Sequence, residues 1–439
     1  MKSTPQFPWL DERGAGLLLH PTSLPNRQGI GTLGAESRRL IDFISDSEMV
    51  YWQMLPLGPT GFGDSPYSTF SVFAGNPYLI DLEALIELGL LTNAEMSPLR
   101  ELPSNVVDFG ALYRIKWALL RLSFRRFKQK KLAYLPNYGI YDDFKKDESE
   151  WLYPYSLFMA LKEFHGGRGW IEWDDSWKDY AQARQTPLPD EVKESVEAYS
   201  FFQYLFFGQW KQIRSYATSK GVQVIGDIPI YVAHDSSDVW SQTLLFDLND
   251  DFSPNSVAGV PPDYFSDLGQ LWGNPLYRWD YHQTTQFKWW KERIVQNLKL
   301  FDVLRLDHFR AFFDYWKIPA DAPDARSGEW IDGPQEAFFQ AIMDTFGIVP
   351  IIAEDLGELE QPVHDFLARL QLPGMAILQF AFDGEDASNM YLPHNLKQNA
   401  IVYGGTHDND TVAGWYESQS AEVQDQVRRY FRVSGADIS

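Results

Sequence analysis

The sequence contains no cysteine, so disulfide bonds and thiolate metal sites are excluded. It has no run of 18 apolar residues and therefore predicts no transmembrane helix. Its first residues, MKSTPQFPWLDERGAG, lack the apolar stretch of a secretory signal. Positive charge is scarce, because the formal net charge is −22, and such a chain repels nucleic acid and anionic membranes. These absences favour a cytoplasmic protein with a neutral partner, bound neither to nucleic acid nor to a membrane.

The residues that are present indicate a large folded protein. The chain has 439 residues, of which 44% are hydrophobic, and this length suits one α/β barrel with large insertions. Aromatic residues reach 15%, including 16 tryptophans. A large aromatic-rich core explains most of them. Stacking on the apolar faces of sugar rings is the functional alternative, and composition alone leaves it open.

Seven short apolar runs predict buried β-strands. Most are continuous rather than alternating, which is typical of a parallel sheet covered on both faces. Helical patterns at Phe201–Lys211 and Gln335–Phe346 precede two of them, so the order of elements predicts βα units. The seven runs are Gly16–His20, Met49–Leu57, Val222–Ile225, Asp302–Leu306, Ile348–Ala353, Met375–Phe382 and Ala400–Tyr403.

The predicted fold is α/β, a (β/α)8 TIM barrel with large insertions. Residues 1–85 are expected to form the first part of the catalytic barrel and residues 86–198 a helical insertion. Residues 199–439 would form the remainder, with a second insertion and a lid loop at about 235–290. A closed barrel needs eight strands, and the chain ends only a helix beyond the seventh. We therefore expect the final strand and helix to be missing, with a loss of stability.

Acidic residues follow four of the predicted strands. Asp227 ends the third, Asp307 the fourth, Glu354 the fifth, and Asp408 follows the seventh. Active sites of βα barrels lie at these strand ends, and crowded carboxylates persist mainly where they are used. A magnesium or manganese site is the alternative interpretation of such a rim.

Two further acids in the same segments are expected to have structural roles. Asp355 and Asp410 are predicted to cap helices or to pair with arginine rather than to take part in a reaction.

The acids suit a retaining glycosyl transfer, which needs two carboxyl groups about 5–5.5 Å apart. One attacks the anomeric carbon, and the other first protonates the leaving oxygen and then acts as a base. Asp307 lies two residues after Arg305, so we expect a low pKa and the role of nucleophile. Glu354 follows an apolar strand, so we expect burial to raise its pKa and fit it for acid/base work.

Several long motifs resemble one known family. The segments RLDHFRAF, IIAEDLGELE and GGTHDNDT, together with GLLLHPTSLPNRQGIGTLG, SPYSTFSVFAGNPYLIDL, GDIPIYVAHDSSDVW and AGVPPDYFSDLGQLWGNPLYRWD, resemble the amylomaltases or disproportionating enzymes, which are 4-α-glucanotransferases of the α-amylase clan. The resemblance runs from about Arg13 to the end. It implies that Asp307 is the nucleophile, Glu354 the general acid/base and Asp408 the third acid, which binds sugar hydroxyls and stabilises the distorted ring.

The resemblance also implies the substrate-binding residues. Arg305, His407 and Asp227 would surround the subsite of the attacked glucose, and Tyr67 would stack on that glucose. Gln270 and Trp272 would belong to a lid between Ala258 and Trp272.

The implied reaction moves an α-1,4-glucan segment from a donor to the 4-hydroxyl of an acceptor glucan or glucose, by double displacement and without a cofactor. The alternatives are a retaining α-glucan hydrolase with the same three acids and an inactive glucan-binding fragment.

Overall fold

The computed structural model describes residues 4–61, 63–262, 266–357, 359–382, 384 and 386–434. They form thirteen strands and sixteen α-helices. The strands are β1 (Gly16–Leu18), β2 (Tyr51–Gln53), β3 (Tyr134–Leu135), β4 (Gly139–Ile140), β5 (Gln223–Ile228), β6 (Ser256–Val260), β7 (Gln270–Pro275), β8 (Val303–Leu306), β9 (Asp314–Pro319), β10 (Glu329–Asp332), β11 (Ile351–Ala353), β12 (Gly374–Ile377) and β13 (Ala400–Tyr403). The helices are α1 (Ala35–Asp46), α2 (Leu82–Glu87), α3 (Ser97–Arg100), α4 (Phe109–Gln129), α5 (Tyr141–Asp147), α6 (Ser149–Phe164), α7 (Asp175–Lys178), α8 (Tyr180–Ala183), α9 (Asp190–Ser219), α10 (Ser237–Ser241), α11 (Trp279–Thr284), α12 (Lys288–Leu300), α13 (Gln335–Phe346), α14 (Gln361–Leu370), α15 (Val412–Ser418) and α16 (Ala421–Phe431).

The barrel wall consists of parallel strands. Five of them follow in the order β1-β2-β5-β8-β11, and β12 pairs in parallel with β13. A hydrogen bond from the Ala353 N–H to the Pro373 carbonyl (2.9 Å) connects β11 to the start of β12. All seven predicted strands are present, and the predicted TIM-barrel type of fold is confirmed. Within the described ranges the wall has these seven parallel strands.

In the part of the chain that the structure describes, no strand pairs β13 with β1. Among the described residues β1 pairs only with β2, and β13 only with β12. A cavity of about 690 Å³ lies between these two edges, lined by Leu17 and Leu18 on one side and by Ile401 and Val402 on the other. The Tyr403 hydroxyl donates a hydrogen bond to Gln53 Oε1 (2.7 Å) and links β13 to β2 through the barrel interior.

Several strands are shorter than their predicted runs, most of all the second and the sixth. The second ends at Gln53, four residues before the end of its apolar run. The sixth ends at Ile377 and continues as a 3-10 helix, Leu378–Phe382. The apolar run Met375–Phe382 contributes to two separate hydrophobic clusters. Met375 packs inside the barrel, and Phe382 packs in another cluster with Val427.

A second sheet was missed in the sequence analysis. Its four antiparallel strands have the order β10-β9-β6-β7, and β6 and β7 form the two ends of the predicted lid. The sequences of β9 (DYWKIP) and β10 (EWID) are short and rich in charge, so they lack the apolar run by which the barrel strands were identified.

The longest helix joins the helical insertion to the barrel. Helix α9 has 30 residues, packs along α6 and leads into β5. The division predicted at residues 198/199 lies in its interior. The Ser156 and Ser200 hydroxyls lie 2.9 Å apart between α6 and α9, and Trp210 Nε1 donates to the Leu300 carbonyl at the end of α12 (3.0 Å). In the described part of the chain, no helix has the length and apolar character needed to cross a membrane.

Candidate active site

Two adjacent strands place a buried arginine between two aspartates. The register of β5 against β8 puts Asp227 opposite Arg305, and Asp307 follows Arg305 by two residues, on the same side of the chain. Arg305 Nη1 donates to both oxygens of Asp227 (2.8 and 2.7 Å) and to Asp307 Oδ1 (2.9 Å). Arg305 and Asp227 are each 3% exposed. Because removing one partner of a buried ion pair costs about 3–5 kcal/mol, Asp227 holds Arg305 in place, and Arg305 in turn orients the Asp307 carboxyl.

Backbone N–H groups hold the Glu354 carboxyl. The His308 N–H donates to Oε2 (2.6 Å) and the Leu356 N–H to Oε1 (3.1 Å). His308 can present its N–H in this way because its backbone is left-handed, with φ 50°. The Glu354 N–H in turn donates to the Leu306 carbonyl (3.0 Å), which seats Glu354 beside the end of β8. The sequence analysis gave His308 no role, since nothing in the motif RLDHFRAF signals a left-handed residue.

Burial raises the pKa of both acids. For Glu354 this confirms the expectation, with desolvation as the main cause. For Asp307 the expected low pKa is wrong: burial, followed by the charge of Asp227, raises its pKa to about 8, and Arg305 only partly opposes this. Arg305 is shared with Asp227, so its charge is not available to Asp307 alone. The cluster therefore holds a proton at neutral pH, as a nucleophile and acid pair requires.

We expect Asp307→Asn to change how stability depends on pH. The folded protein keeps a proton on Asp307 up to about pH 8, whereas an ordinary aspartate releases it near 3.8. Between these values the folded state binds more protons than the unfolded chain, so the free energy of unfolding falls as pH rises, by up to about 1.4 kcal/mol per pH unit. Asparagine cannot ionise and removes this contribution. Denaturant unfolding of both proteins from pH 5 to 8 measures the effect, and parallel curves would contradict it.

The third acid lies on the loop after β13. Asp408 has an exposed carboxyl, 73% accessible, which lies 3.2 Å from His407 Nε2. The His407 ring stacks on Tyr67, with 5.1 Å between ring centroids, and the Tyr67 hydroxyl donates to Asp227 Oδ2 (2.7 Å). Asp408 is thus joined through two rings to the buried Asp227–Arg305 pair. It is the most exposed of the three acids.

One cleft of about 780 Å³ brings the predicted residues together. All of them except Asp227 line it, while Asp227 lies behind Tyr67 and Arg305. The predicted lid contributes Gln270 and Trp272 from β7, and Trp272 Nε1 donates to Gln270 Oε1 (3.0 Å). Residues 263–265 of the lid lie outside the described residues. The lining residues with predicted roles are Tyr67, Gln270, Trp272, Arg305, Asp307, Glu354, His407 and Asp408.

Two residues support the site from β12 and β11. Arg305 Nε donates to the Met375 sulfur (3.3 Å), a contact that the sequence gave no means of predicting. Asp355 Oδ1 accepts the N–H of Met375 (2.6 Å), so its recorded partner is a strand backbone and not the helix end or arginine that was expected. For Asp410, Oδ1 accepts the N–H of the next residue, Thr411 (2.7 Å), so this contact is local.

Arg305 forms ion pairs with both Asp227 and Asp307. In the described ranges no three acidic, histidine or cysteine side chains are placed together in a way that would hold a metal ion.

A parallel βα barrel with two protonatable carboxyl groups and a shared arginine at one rim is the arrangement of barrel enzymes that act on glycosidic bonds. The comparisons with known proteins define the family more closely. A profile of glycoside hydrolase family 77, described as 4-alpha-glucanotransferase, matches residues 19–438. The chain belongs to this family.

Individual relatives agree with the family match. The chain is 46% identical to the 4-alpha-glucanotransferase of Thermus thermophilus over 420 residues, which are 95% of this chain and 83% of the relative. It is 44% identical to that of Clostridium butyricum, with coverage of 95% and 85%. The amylomaltase from Streptococcus agalactiae, solved in complex with acarbose, superposes with a TM-score of 0.91 at 38% identity, covering 97% of this chain and 85% of that one.

Proposed function

We propose that the protein transfers segments of α-1,4-glucan from a donor to the free 4-hydroxyl of an acceptor glucan or glucose. The observation that carries the proposal is the cleft in which Asp307 and Glu354, two acids with raised pKa, lie at adjacent strand ends beside Arg305. Maltooligosaccharides are the proposed substrates, in keeping with the acarbose bound by the Streptococcus agalactiae relative.

The proposed mechanism is a double displacement. Ionised Asp307 attacks the anomeric carbon while Glu354 gives its proton to the departing glycosidic oxygen, and a glucosyl ester forms on Asp307. The reactive form of the site has the proton on Glu354 and leaves Asp307 ionised, and Arg305, which donates to Asp307 Oδ1 (2.9 Å), stabilises that form. Glu354 then takes the proton of the acceptor hydroxyl, which attacks the ester carbon and releases Asp307. Asp408, Tyr67 and His407 hold the sugar under attack.

The aromatic side chains at the cleft favour transfer over hydrolysis. Trp272 lies edge to face against the His308 ring (4.9 Å) and at a tilt to the Tyr231 ring (6.3 Å). These rings line the same cleft as Glu354 and give it apolar surface. A sugar ring gains more binding free energy from packing on this surface than a water molecule does. A sugar hydroxyl should therefore reach the covalent intermediate in preference to water.

We expect the purified protein to convert maltotriose into a ladder of longer maltodextrins and glucose. Each transfer conserves the number of α-1,4 bonds, so reducing ends should stay nearly constant while chain lengths spread. Thin-layer or anion-exchange chromatography with a reducing-end assay measures both quantities. Glucose and maltose as sole products, with rising reducing ends, would indicate the hydrolase. Binding of maltotriose without turnover would indicate the glucan-binding alternative.

A further inference from the structure

Trp330 is an exposed aromatic residue in the catalytic cleft. It lies on β10, where it is paired in register with Trp316 on β9, and it is 37% exposed. It lines the same cavity as Asp307 and Glu354. A large apolar ring that stays accessible inside a ligand cleft is a ready surface for an apolar ligand face.

The ring is held in place by its neighbours. The Arg310 guanidinium lies over the Trp330 ring, 3.7 Å from its centroid. Arg310 is itself fixed by Asp314 (Nε to Oδ1, 2.8 Å) and by Glu360 (Nη2 to Oε2, 2.6 Å). The Trp316 ring packs against Trp330 at 5.2 Å and 65°. Because its orientation is set in advance, Trp330 would lose little conformational entropy when a ligand stacks on it.

The position of Trp330 relative to the acids indicates which sugar it would meet. Tyr67, His407 and Asp408 lie together in the cleft, joined by ring stacking and by the His407–Asp408 contact, and in the proposed function they hold the sugar under attack. Glu360, which follows Glu354 along the same loop, also lines the cleft and connects through Arg310 to Trp330. An acid that protonates the leaving oxygen must face the leaving group. Trp330 therefore lies on the side of the departing sugar and of the acceptor that replaces it.

The second sheet extends this surface. Its strand order puts β10 with Trp330 at one edge and β7 with Gln270 and Trp272 at the other. Three strand spacings separate these edges, about 14 Å. All three side chains line the cleft, so the sheet presents indole rings near both ends of a surface long enough for several sugar rings.

We propose that Trp330, braced by Arg310, is a binding platform for the acceptor sugar and sets the ratio of transfer to hydrolysis. This inference rests on the proposed function. An acceptor stacked on the indole keeps its hydroxyl near Glu354, and it displaces water that would otherwise attack the covalent intermediate. Loss of the ring should weaken acceptor binding and leave formation of the intermediate unchanged for a donor such as α-glucosyl fluoride, which has no leaving sugar.

The test uses α-glucosyl fluoride as donor and maltose as acceptor with the full chain. In Trp330→Ala, the initial burst of fluoride should stay within about twofold of wild type, because fluoride needs no acceptor-side contact. The maltose concentration that gives half-maximal transfer should rise about tenfold, and free glucose should increase among the products. A variant with unchanged half-saturation and product ratio would overturn the proposal, whereas absence of transfer by the wild type would overturn the proposed function instead.

Further variants separate the platform from a structural role. Trp330→Leu keeps an apolar side chain over Arg310 but has no aromatic plane. It should therefore show the same acceptor defect as Trp330→Ala. It also replaces Trp330→Ala in the test if the alanine variant fails to fold. Trp330→Phe should recover part of the acceptor binding. Tyr134→Ala, which removes an aromatic ring 61% exposed and outside the cleft lining, should behave as wild type. Wild-type acceptor kinetics in Trp330→Leu would contradict a platform.

Discussion

Asp307→Asn is expected to lower the rate of glucan transfer by a factor on the order of 10⁴ or more, while maltooligosaccharide binding stays within a few-fold of wild type. The amide keeps the shape of the carboxyl group but is a far poorer nucleophile. The side chain should stay in place, because its oxygen can still accept from Arg305, which remains paired with Asp227. Maltotriose disproportionation gives the rate, and calorimetric titration with a longer maltodextrin gives the affinity.

The matched control is Asp190→Asn, which makes the same chemical change at a side chain that is 98% exposed on the first turn of α9. It should retain full activity. Near-wild-type turnover by purified Asp307→Asn would refute the assignment of the nucleophile. Loss of binding together with activity would mean that the substitution had disrupted the cleft rather than the chemistry.

Glu354→Gln is expected to lose about 10²- to 10⁴-fold of its activity on maltodextrins and to keep the first step on α-glucosyl fluoride. A glycosidic oxygen needs a proton to leave, and glutamine has none to give, whereas fluoride leaves unaided. The second step also needs Glu354, as a base. A glucosyl adduct should therefore build up on Asp307, where mass spectrometry of proteolytic peptides can locate it.

The hydrogen bonds that Glu354 accepts mean that the stability of Glu354→Gln must be measured as well as its activity. Glu354 accepts two backbone N–H groups, from His308 and Leu356, and a glutamine has only one oxygen to offer them. A modest loss of thermal stability is expected for this reason and should be recorded beside the kinetics. An adduct on any carboxylate other than Asp307 would show that the nucleophile is misassigned.

The sequence predicted the parts of the fold that have a simple period. Continuous apolar runs located all seven parallel strands, and the helix predicted at Gln335–Phe346 has those bounds in the structure. The acids at the ends of strands were found for the same reason, since a barrel brings these ends to one rim.

Other features depend on tertiary contacts that no local pattern records. The sharing of Arg305 between Asp227 and Asp307 follows from the register of β5 on β8, and it reverses the pKa expected for Asp307. The left-handed backbone of His308 and the bracing of Trp330 by Arg310 likewise arise from neighbours distant in sequence. The strands of the second sheet were missed because their charged, short sequences resemble loops.

Helix α9 also determines which segments of the protein can be deleted without unfolding the rest. Its 30 residues span about 45 Å, from the packing against α6 to Gly221 and the start of β5, which carries Asp227. Residues 86–198 therefore cannot be deleted as a unit. Their deletion would cut helix α9 and expose Phe201, Phe202 and Phe206, which are fully buried. The helical segment and the barrel should melt as one cooperative unit, and a transplant of either part into another scaffold must carry the whole helix with it.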